Sequence, residues 1–361
     1  MDLEKQDPPT YHVGSATSRV RFYHTPIKPT HSAPNTNLSH QDTSEYTNKY
    51  TKMSTIAVAG GTGGIGKTIV EALLQEPKYR VIVLTQSIPK EDPILKQTQQ
   101  IQINYNDLDS IVETLEKHAV HTVISAIGIY TDEAAQSQMN LVQAAEKSSV
   151  TKRFVPSEYS FIQTEDLLPH DPSIKYWLDA AELLKKTKLQ YTRVCPGVLM
   201  DYWGMPRVRT NIHQHVIGID VANCWAGIPG DGNDKMSVTY SYDLAAYIVK
   251  LLDLEEWPEF SIFAGDDITY NELLKLAEEA RGKQFDVVYD SAENVKAGRV
   301  TVPPFLTGLS EEEAREMTVL VSRLTIAGAF DLPQERMNAL FPDIKPIKMR
   351  EFLINTWKDE A

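Results

Sequence analysis

Cysteine is nearly missing: Cys195 and Cys224 are the two in 361 residues. They form no disulfide framework and have no metal-ligand spacing, so a reducing, cytoplasmic setting is expected. No apolar run approaches the roughly 20 residues of a membrane-spanning helix. Positive charge is in deficit, with 36 Lys and Arg against 49 Asp and Glu and a formal net charge of −13. Such a chain is repelled by nucleic-acid backbones and anionic membranes, and neither is expected as a partner. His170, His213 and His215 lack the spacing of a zinc site, and no metal is expected. No internal repeat is visible.

Residues 1–52 also lack something, namely periodicity. Pro8, Pro9, Pro26, Pro29 and Pro34 stand among Ser, Thr, His and Asn, and the branched aliphatics are Leu3, Val13, Val20, Ile27 and Leu38. Such a segment buries too little surface to offset its ordering entropy, so a disordered tail is expected. An apolar signal core is missing, and Asp2, Glu4 and Asp7 speak against a transit peptide. The folded pattern begins at Met53.

What is present begins at once. Thr55–Ala59 is a short apolar run. Gly60, Gly63 and Gly66 follow in a G-x-x-G-x-x-G turn that includes Thr62 and Gly64. Ile65, Ile69, Ala72 and Leu73 then recur at helical spacing. A strand, a glycine turn and a helix N-terminus in that order form a dinucleotide site. One glycine takes positive φ, one lets the backbone approach a phosphate, and one lets helix and strand pack closely. The helix N-terminus offers unpaired N–H groups to the diphosphate.

Strands are expected at 79–85, 101–105, 122–126, 153–156 and 191–195. Helices are expected between them, including one across 179–186. Asp107 or Asp109 would cap the helix containing Ile111, Val112 and Leu115. Alternating β and α units predict a Rossmann-type, doubly wound α/β fold with a parallel sheet covered on both faces. Ligands of such sheets sit beyond the carboxyl ends of the strands. After about residue 200 the alternation weakens. Residues 53–200 are therefore expected to bind the cofactor, and 201–361 to form mainly a smaller α+β substrate lobe, partly discontinuous. In that lobe Asp243 would cap a helix over 244–252, and Thr269 with Glu272 is a capping box for a helix ending near Gly282. A strand is expected over 285–289, and 310–361 reads as helices with a loop at Phe341-Pro342.

The strand ends supply the candidate site. No acidic residue follows the second strand, which ends Thr85-Gln86-Ser87. Neutral Gln86, with Lys67 and Lys90 nearby, leaves room for a 2′-phosphate, so NADP is favoured and NAD remains possible. Ser125, Ala126 and Ile127 end the fourth strand, small enough for backbone to pass beside a nicotinamide ribose. Ser157, Glu158 and Tyr159 follow the fifth; Ser157 and Tyr159 are placed to meet cofactor and substrate, and Glu158 is read as structural. No Tyr-x-x-x-Lys pair occurs, because Tyr159 is followed by Gln163 and Tyr176 by Ala180. Lys175 is the candidate proton donor or ribose ligand. Tyr202 and Trp203 either line an aromatic substrate pocket or pack between lobes.

These residues together resemble the NmrA-like family, which includes the isoflavone reductase-like enzymes of the atypical short-chain dehydrogenase class. The carriers are Ala59–Gly66, Lys152–Tyr159, Leu189–Thr192 and Met200–Gly204, the last similar to fungal members. The resemblance spans roughly 54–360. It implies a Rossmann fold, a nicotinamide cofactor (usually NADPH) and reduction of small, often aromatic, secondary metabolites. The family also holds regulators that bind the cofactor without catalysis and would act on a protein partner. Its reductases carry a lysine early in the helix before the aromatic-Thr pair. Counting back from Tyr191-Thr192, that place is Trp177, with Lys175 two residues earlier. The family's arginine after the second strand is absent, with Gln86 close to its place.

Overall fold

The computed structural model describes residues 53–358 apart from Lys90 and 305–309. The tail expected at 1–52, and Lys90, lie outside these residues. The first half of the chain runs β1 (Ser54–Ala59), α1 (Gly64–Leu73), β2 (Tyr79–Thr85), β3 (Gln99–Gln102), α2 (Leu108–Lys117), β4 (Val120–Ser125), α3 (Asp132–Lys147), β5 (Arg153–Val155), α4 (Lys175–Leu184) and β6 (Gln190–Tyr191). These six strands form one parallel sheet in the order β3-β2-β1-β4-β5-β6. The order reverses between β1 and β4, which places the ligand crevice beyond their carboxyl ends.

The sheet is covered on both faces, and β1 shows why. Ile56 and Val58 pack with Ile69, Val70 and Leu73 of α1. Ala57 and Ala59 point the other way, into a cluster with Ile111 of α2 and Leu141 and Val142 of α3. Period-two alternation thus serves two layers at once.

The second half adds β7 (Arg193–Cys195), β8 (Val198–Leu199), α5 (Asp201–Gly204), β9 (Ile219–Asp220), β10 (Trp225–Pro229), β11 (Lys235–Thr239), α6 (Ser241–Leu251), β12 (Phe260–Ile262), β13 (Asp266–Thr269), α7 (Tyr270–Arg281), β14 (Asp286–Asp290), α8 (Ala292–Lys296), α9 (Glu311–Ile326) and α10 (Met349–Trp357). Three small sheets result, β14-β10-β9, β13-β11-β8 and β12-β7. Trp203, Met236, Tyr270, Phe352 and Trp357 share their core. Helix α6 returns to the large sheet, where Leu244 and Ile248 join the cluster of α1.

Several elements depart from the sequence reading. Strand β3 ends at Gln102. The Ile103 amide still donates to the Thr85 carbonyl of β2 at 2.9 Å, and the burial of Ile103 and Tyr105 beyond it records packing against α2 and α3. The single strand expected over 191–195 is two: β6 joins β5, whereas β7 pairs with β12. Thr192 stands at the switch, its hydroxyl 2.7 Å from that of Ser261. Helix α4 begins at Lys175, because a short turn at Pro172–Ile174, capped by the Asp171 carboxylate, starts the winding early. Asp107 caps α2, and Thr269 with Glu272 forms the expected box on α7, which ends at left-handed Gly282. Helix α6 begins at Ser241, so Asp243 lies inside its first turn. The capping carboxylate comes from elsewhere: buried Asp201 accepts from the Ser241 amide and hydroxyl at 3.0 and 2.6 Å. Between α9 and α10 the chain is irregular apart from a turn at Met337–Leu340, a longer interruption than the loop expected at Phe341.

Candidate functional site

The glycines divide their work. Gly60 takes φ +76°, and a Cβ there would stand 2.5 Å from the Ala126 carbonyl oxygen. A Cβ on Gly66 would stand 2.4 Å from the Gly60 oxygen. These two glycines close the turn and bring α1 against β4. Gly63 differs: its backbone is extended, and a Cβ would meet no atom within 4 Å. It occupies the N-cap of α1, no side chain caps the helix, and no acidic residue lies in the first turn. Thr62, Gly63, Gly64 and Ile65 are all partly exposed. The helix therefore presents free amides and an uncompensated positive end across open space, which fits a dinucleotide diphosphate.

At the end of β2 the Thr85 hydroxyl folds back onto Ser87, donating to its carbonyl oxygen at 2.8 Å, and Gln86 is exposed. Lys67, one residue beyond Gly66, reaches this loop and pairs with Asp92 at 2.7 Å. Partial burial works against the Asp92 charge, but Lys67 and the amides of Leu95 and Ile94 outweigh it and hold the carboxyl below its usual range.

The floor of the crevice is built from β4 and β5. The Ser157 hydroxyl donates to the Ile127 carbonyl at 2.8 Å, and its amide donates to Gln138 of α3 at 2.8 Å. The Tyr159 hydroxyl donates to the Ser125 carbonyl at 2.8 Å. Burial, with the Glu158 charge adding, pushes the Tyr159 phenol up. The Ser125 hydroxyl is buried and has no partner. Between Ser157 and Tyr159, the Glu158 carboxylate turns inward to meet the Arg193 Nε at 2.9 and 2.8 Å. Arg193 also lies over the Phe260 ring, 4.6 Å from its centre. Burial raises the Glu158 carboxyl to about 7 despite the opposing charge of Arg193. This pair fixes the turn that carries Ser157 and Tyr159, in keeping with the structural reading of Glu158.

Helix α4 sets the register of the two candidates beside this floor. Lys175 is exposed and pairs with Asp179 one turn along the outer face of α4. Trp177 is half-buried, and its indole N–H donates to the Ser157 carbonyl at 2.9 Å. The side chain that reaches the end of β5 is therefore Trp177. Two positions at about 100° each turn Lys175 away from it.

The far wall is aromatic. Tyr202 is partly exposed and packs with Ile65, Tyr159 and Ile212 against one core cluster. Its ring lies 6.3 Å from that of His215. Burial, then the neighbouring Tyr130 and Asp201, push the Tyr202 phenol up. Tyr130, just past the end of β4, is 87% exposed. Trp203 is fully buried; its indole donates to the Ile217 carbonyl at 2.9 Å, and its own carbonyl accepts from Trp357. Of the two readings open for Trp203, packing is the one its burial fits.

The crevice thus gathers the glycine turn, Ser125, Ala126, Ile127, Ser157, Tyr159 and Tyr202. Three residues beside it were not singled out as ligands from the sequence: Tyr130, Trp177 and His215. Tyr130 carried a usable signal, an aromatic residue in the loop that follows a strand end. His215 carried none, because its approach to Tyr202 depends on how residues 205–216 fold back. That segment is tied to α1: Glu71 accepts from Asn211 at 2.7 Å, from Arg209 at 2.5 Å and from Tyr242 at 3.0 Å. Among the described residues no cluster of His, Cys, Asp or Glu is arranged to hold a metal, and no helix is long and apolar enough to cross a membrane.

Known proteins are similar to this chain in sequence and in fold. The chain is 30% identical over 338 residues to the oxidoreductase swnN of Metarhizium robertsii, covering 84% of this chain and 98% of that one. It is 30% identical over 295 residues to the oxidoreductase BOA1 of Botryotinia fuckeliana, covering 81% and 96%. Among solved structures, the leucoanthocyanidin reductase–NADPH complex from Vitis vinifera superposes with a TM-score of 0.66 at 17% identity, over 84% of this chain and 99% of that one. The NmrA-like family model matches residues 52–353, and the chain belongs to the NmrA-like family.

Proposed function

We propose that the protein is an NADPH-dependent reductase of a small aromatic or secondary-metabolite substrate, with NAD as a weaker alternative cofactor. One observation carries the reading. The uncapped N-terminus of α1, opened by Gly63 and Gly64, and the aromatic wall of Tyr130 and Tyr202 border the same crevice at the switch between β1 and β4. The NADPH complex of a structural neighbour and the oxidoreductase names of the relatives support it. A reduced nicotinamide bound there supplies hydride. The chain's own residues hold the diphosphate at 60–66, the ribose beside Ser125–Ile127 and Ser157, and the substrate against Tyr159 and Tyr202. Residues 53–200 hold the cofactor and 201–361 mainly the substrate. The setting is cytoplasmic, with no nucleic acid or membrane as partner.

A second reading, a cofactor-sensing regulator that docks on another protein, is favoured by the placement of Trp177 where the family's reductases carry lysine. Titration with NADPH and NADH, followed by a metabolite panel read at the nicotinamide absorbance, separates the two. Oxidation of NADPH by any substrate supports the reductase, and tight binding without turnover supports the regulator. If neither cofactor binds at micromolar levels, both readings fall. Lys175→Ala decides that residue's part: a loss of turnover assigns it the proton, and full turnover removes it from the mechanism.

A further inference from the structure

One small sheet ends on a strand with a bare edge. In the order β14-β10-β9, β14 has a partner on one side only. It runs parallel to β10, with Asp286 opposite Trp225 and Asp290 opposite Pro229. The Asp286 amide donates to the Cys224 carbonyl at 3.0 Å, and the Asp290 carbonyl accepts from the Gly230 amide at 2.8 Å. These bonds fix the alternation of the ladder. Asp286, Val288 and Asp290 turn their N–H and C=O toward β10, and Val287 and Tyr289 turn theirs outward. Among the described residues no other backbone group meets the outward set. The side chains along the edge are open as well, with Val288 40% and Tyr289 51% exposed. Asp286 and Asp290 flank Val288 on its face of the strand. Asp286 is exposed, and Asp290 is held by neutral partners, the amide and hydroxyl of Thr301 at 2.7 and 2.9 Å. The loop after β10 brings a third carboxylate, because a Cβ on Gly230 would stand 3.5 Å from Asp234. Among the described residues no Lys or Arg forms an ion pair with any of the three.

A second copy of this chain fits that edge poorly. Antiparallel pairing of β14 about a two-fold axis sets Asp286 opposite Asp290 at both ends, and like charges facing across a ladder oppose it. The same acids that guard the edge against self-pairing leave it open to a strand of opposite charge. We propose that the outer edge of β14 is a docking site for an extended basic segment of a partner protein, which adds to the sheet as a further strand. The segment carries Lys or Arg opposite Asp286 and Asp290, and Val or Ile opposite Val288. That pattern, cation-x-aliphatic-x-cation, reads the same in both directions, so it serves parallel and antiparallel addition alike. Backbone bonds to Val287 and Tyr289 hold the segment, and the alternate side chains select it. The formal charge of −13 draws it in at longer range. Docking here does not depend on what the crevice binds or whether a substrate is reduced there.

The test uses the full chain and a fluorescein-labelled peptide, Gly-Thr-Lys-Thr-Val-Thr-Lys-Thr-amide. Anisotropy should show saturable binding at roughly 10–100 μM. Replacing both peptide lysines by glutamate should weaken it at least roughly tenfold and needs no change to the protein; Asp286→Lys should do the same from the other side. Two N-methylated peptides separate strand pairing from charge attraction. One is methylated at the Thr amides, the other at the Lys and Val amides, and these sets lie on opposite edges of the peptide strand. One should lose binding and the other keep it, and which one is lost gives the direction of the added strand. Hydrogen exchange at Val287 and Tyr289 should slow when the unmodified peptide binds. Equal binding of the lysine and glutamate peptides, equal effects of the two methylated sets, or no binding up to about 1 mM overturns the assignment. Exchange that slows at the same amides with rising protein concentration alone also overturns it, and gives the edge to a second copy of the chain.

Discussion

Gly66 lies so close to Gly60 that a Cβ on the first would stand 2.4 Å from the carbonyl oxygen of the second. Backbone cannot yield there, because β1 is paired on both sides. Gly66→Ala should therefore cost about 1–3 kcal/mol of stability, as overpacking does elsewhere, and should lose cofactor binding as well. Gly63→Ala is the informative control. Its backbone is extended and its surroundings open, so stability should change by no more than about 0.5 kcal/mol. If a phosphate passes over that residue, NADPH affinity should still fall by roughly tenfold. Urea denaturation and fluorescence titration of both variants check this, and unchanged affinity in Gly63→Ala would place the diphosphate elsewhere.

The Lys67–Asp92 pair bears on which nicotinamide is preferred. Both side chains are mostly covered and Asp92 is held in place by the Ile94 and Leu95 amides, so the lysine is fixed over the loop after β2. Asp92→Asn keeps those amide contacts and releases the ammonium. NADPH affinity should then rise relative to NADH by about threefold to tenfold, and Lys67→Met should reverse the ratio. Paired titrations measure it. A ratio that ignores both substitutions would remove Lys67 from 2′-phosphate recognition.

Glu158 makes stability depend on pH in an unusual direction. Its carboxyl is raised from 4.5 to about 7, chiefly by burial, so between those values the folded chain holds a proton that the unfolded chain has released. Stability from this group is full below about pH 4.5 and declines as pH rises toward about 7. Glu158→Gln cannot titrate. The difference in urea midpoint between wild type and Glu158→Gln should therefore shrink or change sign as pH rises through that window. A difference that instead grows in favour of wild type would mean that Arg193 outweighs burial. Arg193→Met, which leaves the carboxylate without its partner, should cost about 3–5 kcal/mol above pH 7.

The strand–glycine turn–helix unit was legible in the sequence because it is local. A strand, three glycines and an apolar helix face lie within twenty residues, and each leaves its own mark. The parallel sheet was legible for the same reason, through alternating units. The chemical end was not, because it is assembled from distant pieces. Whether Lys175 or Trp177 meets the end of β5 depends on where α4 starts. Asp171 and Pro172 set that start through a turn too short to register as periodicity. The split at Thr192 was hidden because a short extended run does not state its partner, and β7 pairs with distant β12. Asp201 capping α6 across the fold leaves no sequence mark at all.

Glu71 gives the means to ask whether the two ends communicate. It sits on α1, the helix whose N-terminus at Gly63 is uncapped, and its carboxylate is 9% exposed. Asn211 and Arg209, which bind it, belong to the segment that brings His215 against Tyr202. The Arg209 bond contributes little, because that guanidinium is 71% exposed and solvent screens it. Asn211 and Tyr242 are the partners whose loss matters. Glu71→Gln keeps the volume and removes the charge, and should cost about 1 kcal/mol of stability. If the brace positions the substrate wall, KM should rise by about threefold to tenfold with kcat nearly unchanged, and NADPH affinity should stay within about twofold. Asn211→Ala should reproduce that split, and Arg209→Ala should show much less. A stability loss with no change in KM would reduce Glu71 to a brace of the fold, because a residue that sets the wall must move the binding of what the wall holds.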